Sequence, residues 1–158
     1  MKLSTQEEYG LRCLLQLGRK GDGETITIGE LSQLEGLSQA NVGKLMRVLR
    51  RGGLVRSTRG QAGGYALARP ADEVSVGEAL AVLGGRLFDS GFCDRHSGLV
   101  RLCTHLPDCS IRPVLRQLQG AVDQVLQGLT LRSLLCPERE VTGFVPASSV
   151  QPVHSPAS

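Results

Sequence analysis

Three cysteines, Cys93, Cys103 and Cys109, lie close together in the second half of this 158-residue chain. Nine residues separate the first from the second, and five separate the second from the third. Iron–sulfur clusters and zinc both prefer thiolate ligands, so three thiols on one stretch of chain could hold a metal centre. The intervals match no general motif, and a thiol switch between Cys103 and Cys109 is an alternative use of the same residues.

A run of cations forms the second group of residues with chemistry. Residues 36–71 contain no Asp or Glu but contain seven Lys and Arg residues, which leaves 11 bases and 15 acids elsewhere. The seven are Lys44, Arg47, Arg50, Arg51, Arg56, Arg59 and Arg69. A positive block on an otherwise acidic chain is typical of a surface that meets phosphates. The alternatives are a solvated helix face and a module that docks on an acidic protein.

The elements that must position these cations begin with three helices. Ser4 and Glu7 have the spacing of a capping box and open the first helix. A second helix is predicted over 28–35, and a third follows the N-cap Ser38 and ends at the glycine pair 52–53. Two helices joined by so short a turn are typical of a helix-turn-helix.

Next come two strand-like runs, 54–58 and 65–68, which flank a glycine-rich turn and predict a hairpin. The whole is a winged helix-turn-helix, whose third helix reads the major groove while the wing reaches the adjacent minor groove. We expect polar residues at the start of that helix to contact bases and the later arginines to hold phosphates. The predicted DNA contacts are Ser38, Gln39, Asn41, Lys44, Arg47, Arg50, Arg51, Arg59 and Gly60.

After the wing, Ser75 and Glu78 repeat the capping-box spacing and open a short helix. The cysteine-containing stretch 86–109 has no regular period and is predicted to be a loop. A long helix follows from Ser110 and carries apolar residues at heptad spacing: Leu115, Leu118, Val122, Val125 and Leu129. This seam could pair two chains or pack against the first helix.

The fold class is therefore mainly α, a winged helix-turn-helix domain with a two-stranded wing and a long helix. We divide the chain into that domain at 1–85, the cysteine loop at 86–109, the long-helix region at 110–136 and a tail at 137–158. The tail is rich in Pro, Ser and Ala and is predicted to be disordered.

Composition excludes several classes of protein. No apolar run approaches the roughly 18 residues of a membrane span, and polar residues at 4–8 interrupt any signal sequence, so we expect a cytoplasmic protein. Cysteines in that compartment seldom form structural disulfides; Cys13 is expected in the core and Cys136 at a frayed end. We find no phosphate loop, no nucleophile–base pair and no paired carboxylates, so an enzyme is not expected.

Several segments are similar to a known family. The segments 36–45 and 49–57, and above all the wing sequence RGQAGGYALARP at 59–70, resemble the Rrf-two family of bacterial transcription regulators, the group of IscR, NsrR and RsrR. The start of the chain, with Tyr9 and Arg12, is similar too, so the resemblance covers residues 1 to about 136. It implies a homodimeric repressor or activator that binds double-stranded DNA at a palindromic operator through the recognition helix and wing. The long helix would then be the dimer interface.

The resemblance also gives the cysteines a role. Many members of the family carry an iron–sulfur cluster in the loop before the dimer helix, which makes Cys93, Cys103 and Cys109 its predicted ligands. The interval between the first two is longer than is usual in the family, which leaves the cluster type open between [4Fe–4S] and [2Fe–2S]. The expected signal is nitric oxide, redox state or iron–sulfur status.

The fourth ligand is a separate question. Where some relatives have a histidine, this chain has Arg112, which cannot bind iron. Others use an acid donated by the partner subunit's first helix, and Glu8 stands at the corresponding position, which favours a [4Fe–4S] cluster. The alternative for Glu8 is an ion pair with Arg12 four residues later. The loop histidines 96 and 105 are further candidates, although loop histidines are more often solvated.

Overall fold

The computed structural model describes residues 3–60, 63–86, 88–89, 91–95 and 108–141. Helices dominate this part of the chain, with one two-stranded antiparallel sheet, so the predicted fold class is confirmed. In chain order the elements are α1 (Thr5–Lys20), α2 (Ile28–Glu35), α3 (Gln39–Arg51), β1 (Val55–Thr58), β2 (Gly64–Leu67), α4 (Val76–Gly84), α5 (Phe92–Arg95), α6 (Ile111–Leu126), a 3-10 turn (Arg132–Leu134) and α7 (Glu138–Val141). None of the described helices is long and apolar enough to cross a membrane.

Local side chains fix the starts of the first three helices. Ser4 caps α1 in a complete capping box with Glu7, as predicted, and Thr27 caps α2 in the same way with Glu30. At α3 the Ser38 hydroxyl accepts a hydrogen bond from the backbone N–H of Asn41. These caps satisfy amides that no helix carbonyl can reach, so the sequence determines where each helix begins.

The wing is a short hairpin fixed to the body of the domain. Val55 pairs with Leu67 and Thr58 with Gly64 across β1 and β2. Beyond the predicted hairpin, Ile26 adds a third pairing, because its N–H and carbonyl both bond the backbone of Tyr65 at 2.8 Å. A Cβ on Gly64 would lie 2.8 Å from the Ile26 carbonyl, so only glycine permits this close approach.

A single core of aliphatic side chains holds α4 against α1 and α3. Leu14, Leu45 and Leu49 are among its fully buried members. A Cβ on Gly10 would overlap the side chain of Leu83 on α4, so these two helices touch closely at that point. Helices α1, α3 and α4 are therefore parts of one packed body.

The start of α4 differs from the prediction. Ser75 is the N-cap residue of α4, but its side chain makes no capping hydrogen bond. Both carboxylate oxygens of Glu78 instead accept hydrogen bonds from Arg69, at 2.7 and 2.8 Å. A hydrogen bond between a guanidinium and a carboxylate is stronger than one from a neutral backbone amide to a carboxylate, so the salt bridge replaces the capping box.

The long helix α6 also differs in detail. It packs along α4: Leu126 lies beside Gly77, and the Val76 N–H donates to the Leu129 carbonyl. The intramolecular alternative had placed this helix along α1 instead. The predicted heptad residues divide between two environments. Leu118 and Val125 are exposed, whereas the other three, Leu115, Val122 and Leu129, are half-buried.

Two predicted irregular regions contain helical turns. Within 86–109, residues 92–95 form α5. Within the predicted tail, residues 138–141 form α7, so regular structure extends further along the chain than expected. The rest of the tail, 142–158, lies outside the described residues.

Candidate DNA interface and cysteine site

The recognition surface begins at the N-terminal turn of α3. The predicted contact Gln39 is exposed there, Lys44 and Arg47 are exposed further along α3, and Asn41 is half-buried. Ser38 is exposed as well, although its hydroxyl already accepts the Asn41 N–H at 3.2 Å. Four apolar residues of α3 fill the opposite, buried face: Val42, Leu45, Met46 and Leu49. The helix thus turns its amide and cationic side chains outward, as direct base reading requires.

The end of α3 and the wing extend the same surface. Arg50 and Arg51 are exposed in the last turn of α3, and Arg50 Nη1 donates to Ser57 Oγ on β1 at 3.3 Å. Arg56 and Arg59 on the wing are exposed too. The hydrogen bond to Ser57 links α3 to the wing, so the exposed cations of both elements lie on one continuous surface.

The tip of the wing depends on glycine. Gly60 has a φ of +113°, in the left-handed region, and its carbonyl accepts the Gly63 N–H at 2.9 Å. A Cβ on Gly63 would lie 2.7 Å from that carbonyl oxygen. The turn places Arg59 at the end of the hairpin; Gln61 and Ala62 lie outside the described residues.

One of the seven Lys and Arg residues in 36–71 forms a salt bridge within the protein. Arg69 pairs with Glu78 and is only partly exposed. The other six are exposed, and no acid occurs in their stretch of sequence. Arg56, which was not among the predicted contacts, belongs with them by position. The surface can therefore attract several phosphates at once.

A polar network that the sequence did not indicate joins α1 to α2. The side chain of Glu35 is 6% exposed, and its carboxylate accepts hydrogen bonds from Arg12 Nε and Gln16 Nε2, each at 2.6 Å. Arg12 Nη2 also donates to the Glu35 backbone carbonyl at 3.1 Å. The hydrogen bond and the charge of Glu35 raise the pKa of Arg12. Sequence spacing favours partners three or four residues apart, and this pair is separated by 23 residues.

Glu8, the predicted fourth ligand, lies at the edge of this network. Its carboxylate is 3.7 Å from Arg12 Nη1, and its side chain is 61% exposed. The predicted ion pair with Arg12 is therefore present but long, because Arg12 makes its short contact with Glu35. Glu8 retains an accessible carboxylate on the surface of α1.

The described cysteines differ in environment. Cys93 lies on α5 beside a surface cavity of about 730 Å³, and Cys109 lies just before Ser110, which precedes α6. Both are free and partly exposed. Among the described residues no three His, Cys, Asp or Glu side chains form a group that could hold a metal ion. Cys103 and the loop histidines 96 and 105 lie outside those residues.

The remaining described thiols are Cys13 and Cys136. Cys13 is completely buried on α1, as predicted. Cys136 is partly exposed and donates to the Ser133 carbonyl. Neither lies on the segment between Cys93 and Cys109. The chemistry of the donor set fits a soft metal centre, since two accessible free thiols flank the segment that carries a third.

The start of the cysteine loop is fixed to α6. Gln119 is the one residue of α6 that is classed as buried, at 7% exposure, and its side-chain oxygen accepts the Phe88 N–H at 3.1 Å. Its amide donates to Asp123 at 2.8 Å, and Asp123 forms an ion pair with Arg86. Sequence reasoning missed these contacts, although a polar residue beside an apolar seam is the kind of signal that could indicate them.

A helix-turn-helix with an exposed cationic reading helix and an attached hairpin defines a winged-helix DNA-binding protein. The chain matches the Rrf2 (Rrf-two) family, described as an iron-dependent transcriptional regulator, over residues 3–137, and it belongs to that family. It is thus a transcription regulator and not an enzyme. The protein named "Protein rrf2" of Nitratidesulfovibrio vulgaris is 32% identical over 143 residues, which cover 87% of this chain and 93% of that protein.

Solved structures agree with this assignment. The structure of T. potens IscR has a TM-score of 0.65 and 28% sequence identity, and the match covers 85% of this chain and 86% of that one. CymR, described as the global cysteine regulator of B. subtilis, has a TM-score of 0.62 and 28% identity, with 85% and 96% covered. Both structural matches cover 85% of this chain and so include much more than α2 and α3.

Proposed function

We propose that this chain binds a palindromic operator as a homodimer in the cytoplasm, with α3 in the major groove and the wing in the adjacent minor groove. The observation that carries this proposal is the continuous set of exposed cations on α3 and the wing, with exposed Gln39 at the start of the helix. Arg47, Arg50 and Arg51 hold phosphates in this arrangement, and Arg59 enters the minor groove.

An apolar stripe on α6 supports the homodimer. Ile111, Val114, Leu118 and Val125 are between 44% and 63% exposed, at spacings of three, four and seven residues. Single exposed apolar residues are common, but four on one helix face indicate a surface that another protein covers. A second copy of α6 can cover it symmetrically, which sets two recognition helices on opposite sides of a two-fold axis.

We further propose that Cys93, Cys103 and Cys109 hold an iron–sulfur cluster, with Glu8 of the other protomer as the fourth ligand. A [4Fe–4S] cluster is favoured and a [2Fe–2S] cluster is the alternative. When bound, such a group supplies a centre that nitric oxide, oxidants or a shortage of iron can alter. Cys109 lies two residues before α6 and Glu8 lies on α1, so two of the proposed ligands adjoin the helix that we propose joins the protomers and the helix that packs against α3.

The experiment on DNA binding uses Arg59→Ala, with Arg139→Ala as a control that removes the same charge from α7. Duplexes are first selected from a random pool by the wild-type protein, and dissociation constants are then measured over a range of salt. We expect Arg59→Ala to weaken binding by roughly tenfold to a hundredfold and Arg139→Ala to change it little. Equal effects of both variants, or a flat salt dependence, would contradict the proposed interface.

A second experiment separates the cluster from a thiol switch, which the likeness to CymR favours as the other candidate. Protein purified without oxygen should be brown and contain iron and sulfide, and Cys93→Ser should lose both. Colourless protein that contains zinc, or whose DNA binding responds to oxidants without any iron, would exclude the cluster. It would leave the DNA-binding proposal intact.

A further inference from the structure

The exposed face of α3 has a gap in its row of long side chains. Gln39, Lys44 and Arg47 are exposed on this helix, but the small residues Ala40 and Gly43 lie between them in sequence. Ala40 is exposed and Gly43 is partly exposed, and residues three apart share one face of a helix. The Ala40–Gly43 gap therefore interrupts a surface of amide and cationic side chains. Neither residue was among the predicted DNA contacts.

The glycine in this gap is not required by the packing of the described residues. Gly43 lies inside α3 and is not among the glycines with a positive φ. A Cβ built on it would lie 3.7 Å from Ile28 Cδ1, which is an ordinary van der Waals contact. By contrast, a Cβ on Gly52, directly after the same helix, would overlap the side chain of Val82. Glycine inside a helix weakens it relative to alanine, so the missing side chain at position 43 indicates a requirement outside the fold.

A methyl group in the major groove is the ligand that fits the gap. Thymine is the base that presents a methyl group there, on C5, and alanine is one of the side chains that contact it. With no side chain at Gly43, the helix backbone can approach the base closely enough for that contact. Gln39, the residue before Ala40, has an exposed amide that suits adenine, so the two neighbouring residues both favour A·T pairs.

We propose that Ala40 and Gly43 determine operator specificity, because the Ala40–Gly43 gap receives the C5-methyl group of one thymine in each half-site. This inference rests on the proposed binding of α3 in the major groove. It deepens that proposal by naming the base, and the chemical group on it, that the helix selects. The contact is apolar and uses no hydrogen bond, so it is separate from the contacts between cations and phosphates.

Replacement of thymine by uracil tests the contact, because uracil keeps the base pairing and lacks only the methyl group. The thymines of the duplex that the wild-type protein selects are replaced one position at a time, in both half-sites together. Dissociation constants are measured at a fixed salt concentration. We expect one of these replacements to weaken wild-type binding by about threefold to tenfold. Ala40→Gly, which lacks the contacting methyl group, should bind the thymine and uracil duplexes almost equally.

Gly43→Ala separates DNA reading from folding. Its added methyl group fills the gap, so it should bind the thymine duplex more weakly than the wild type, by about threefold or more. It should recover on the uracil duplex, which lacks the group that would collide with it. The same substitution should raise the urea midpoint, because alanine favours a helix. Gly120→Ala adds a methyl group to α6 in open space, and as the matched control it should leave the preference for thymine unchanged.

The outcomes are distinct. If no replacement of thymine by uracil changes wild-type affinity, or if Ala40→Gly and Gly43→Ala keep the wild-type preference for thymine, the gap does not read a methyl group, while DNA binding by α3 stands. If the wild-type protein selects no duplex, the proposed function fails and this inference fails with it. A preference that vanishes in Ala40→Gly and reverses in Gly43→Ala, with Gly120→Ala like the wild type, supports the proposal.

Discussion

Cys13 and Cys136 show how position changes the chemistry of one side chain. Cys13 is completely buried in the core, and this desolvation, followed by the nearby charge of Glu35, raises the pKa of its thiol to about 11. Cys136 is partly exposed. Since the thiolate is the reactive form, these two cysteines should differ greatly in reactivity.

We predict that Cys13 resists a disulfide-exchanging thiol reagent in native protein at pH 8, while Cys136 reacts readily. A pKa of about 11 instead of 9.0 lowers the thiolate fraction at that pH roughly 100-fold, and burial blocks access as well. Peptide mapping by mass spectrometry measures the modification of each residue. Denatured protein, in which both should react, is the control. Equal rates in the native state would show that the core around Cys13 opens easily.

The same raised pKa has a consequence for stability. The folded-state pKa of Cys13 lies above the unfolded value of 9.0, so its contribution is fully present below pH 9 and is lost as the pH rises towards 11. We expect the melting temperature of the wild type to fall in that window more steeply than that of Cys13→Ala. Parallel curves for the two proteins would contradict this assignment.

Residue-level roles were predictable where they depended on local spacing. The Ser4–Glu7 box and the cap at Ser38 follow from residues three apart, and the structure has both. Sequence spacing likewise suggested Glu8 as the partner of Arg12. It could not show Glu35, because only the packing of α1 on α2 brings that carboxylate to Arg12.

Among the elements, helix bounds were predicted better than contacts between them. The predicted bounds of α2, 28–35, agree with the structure because a cap and a left-handed glycine define its two ends. Ser75 is the N-cap residue of α4, but the predicted capping box was wrong, because Arg69, from beyond β2, takes the Glu78 carboxylate. The pairing of Ile26 with Tyr65 was missed, since one residue before a helix gives no strand pattern.

The contact between α1 and α4 gives a prediction at this level. Gly10→Ala should destabilise the protein by about 1–3 kcal/mol, because the added methyl group overlaps the side chain of Leu83. Urea unfolding measures the loss, and Leu83→Ala should relieve part of it in the double variant.

Gly120→Ala on α6 is the matched control for that substitution. Nothing lies within 4 Å of a Cβ built there, so alanine should be neutral or stabilise the helix by up to about 1 kcal/mol. A Gly10→Ala protein as stable as the Gly120→Ala protein would mean that α4 moves away from α1 without penalty.

The molecule as a whole has two surfaces of opposite character. The cations of α3 and the wing are exposed, and on α6 an apolar stripe is exposed instead. A charged surface is well hydrated when exposed, whereas a large apolar patch is typically covered by another protein surface. We therefore expect two copies of the chain to associate through the apolar stripe on α6.

We therefore predict that Leu118→Glu converts a dimer into a monomer. Leu118 is 52% exposed at the middle of the stripe, and an unpaired charge buried there should cost roughly 3 kcal/mol or more, which corresponds to at least a hundredfold weaker association. Light scattering after size-exclusion chromatography measures the mass at micromolar concentration. Gln117→Glu adds the same charge beside the stripe and should remain dimeric. A wild-type monomer would refute the role of α6.

Ile26 pairs with the hairpin just before α2, and Arg50 on α3 donates to Ser57 on β1, so α3 and the wing, the two parts that we propose contact DNA, are held in one arrangement. In the proposed complex, the protein sets the distance between its major-groove and minor-groove contacts before it meets DNA. Whatever adjustment the complex needs must then come from the duplex. Operators with easily kinked pyrimidine–purine steps between those contacts should be preferred over stiff ones, even at base pairs that no side chain touches.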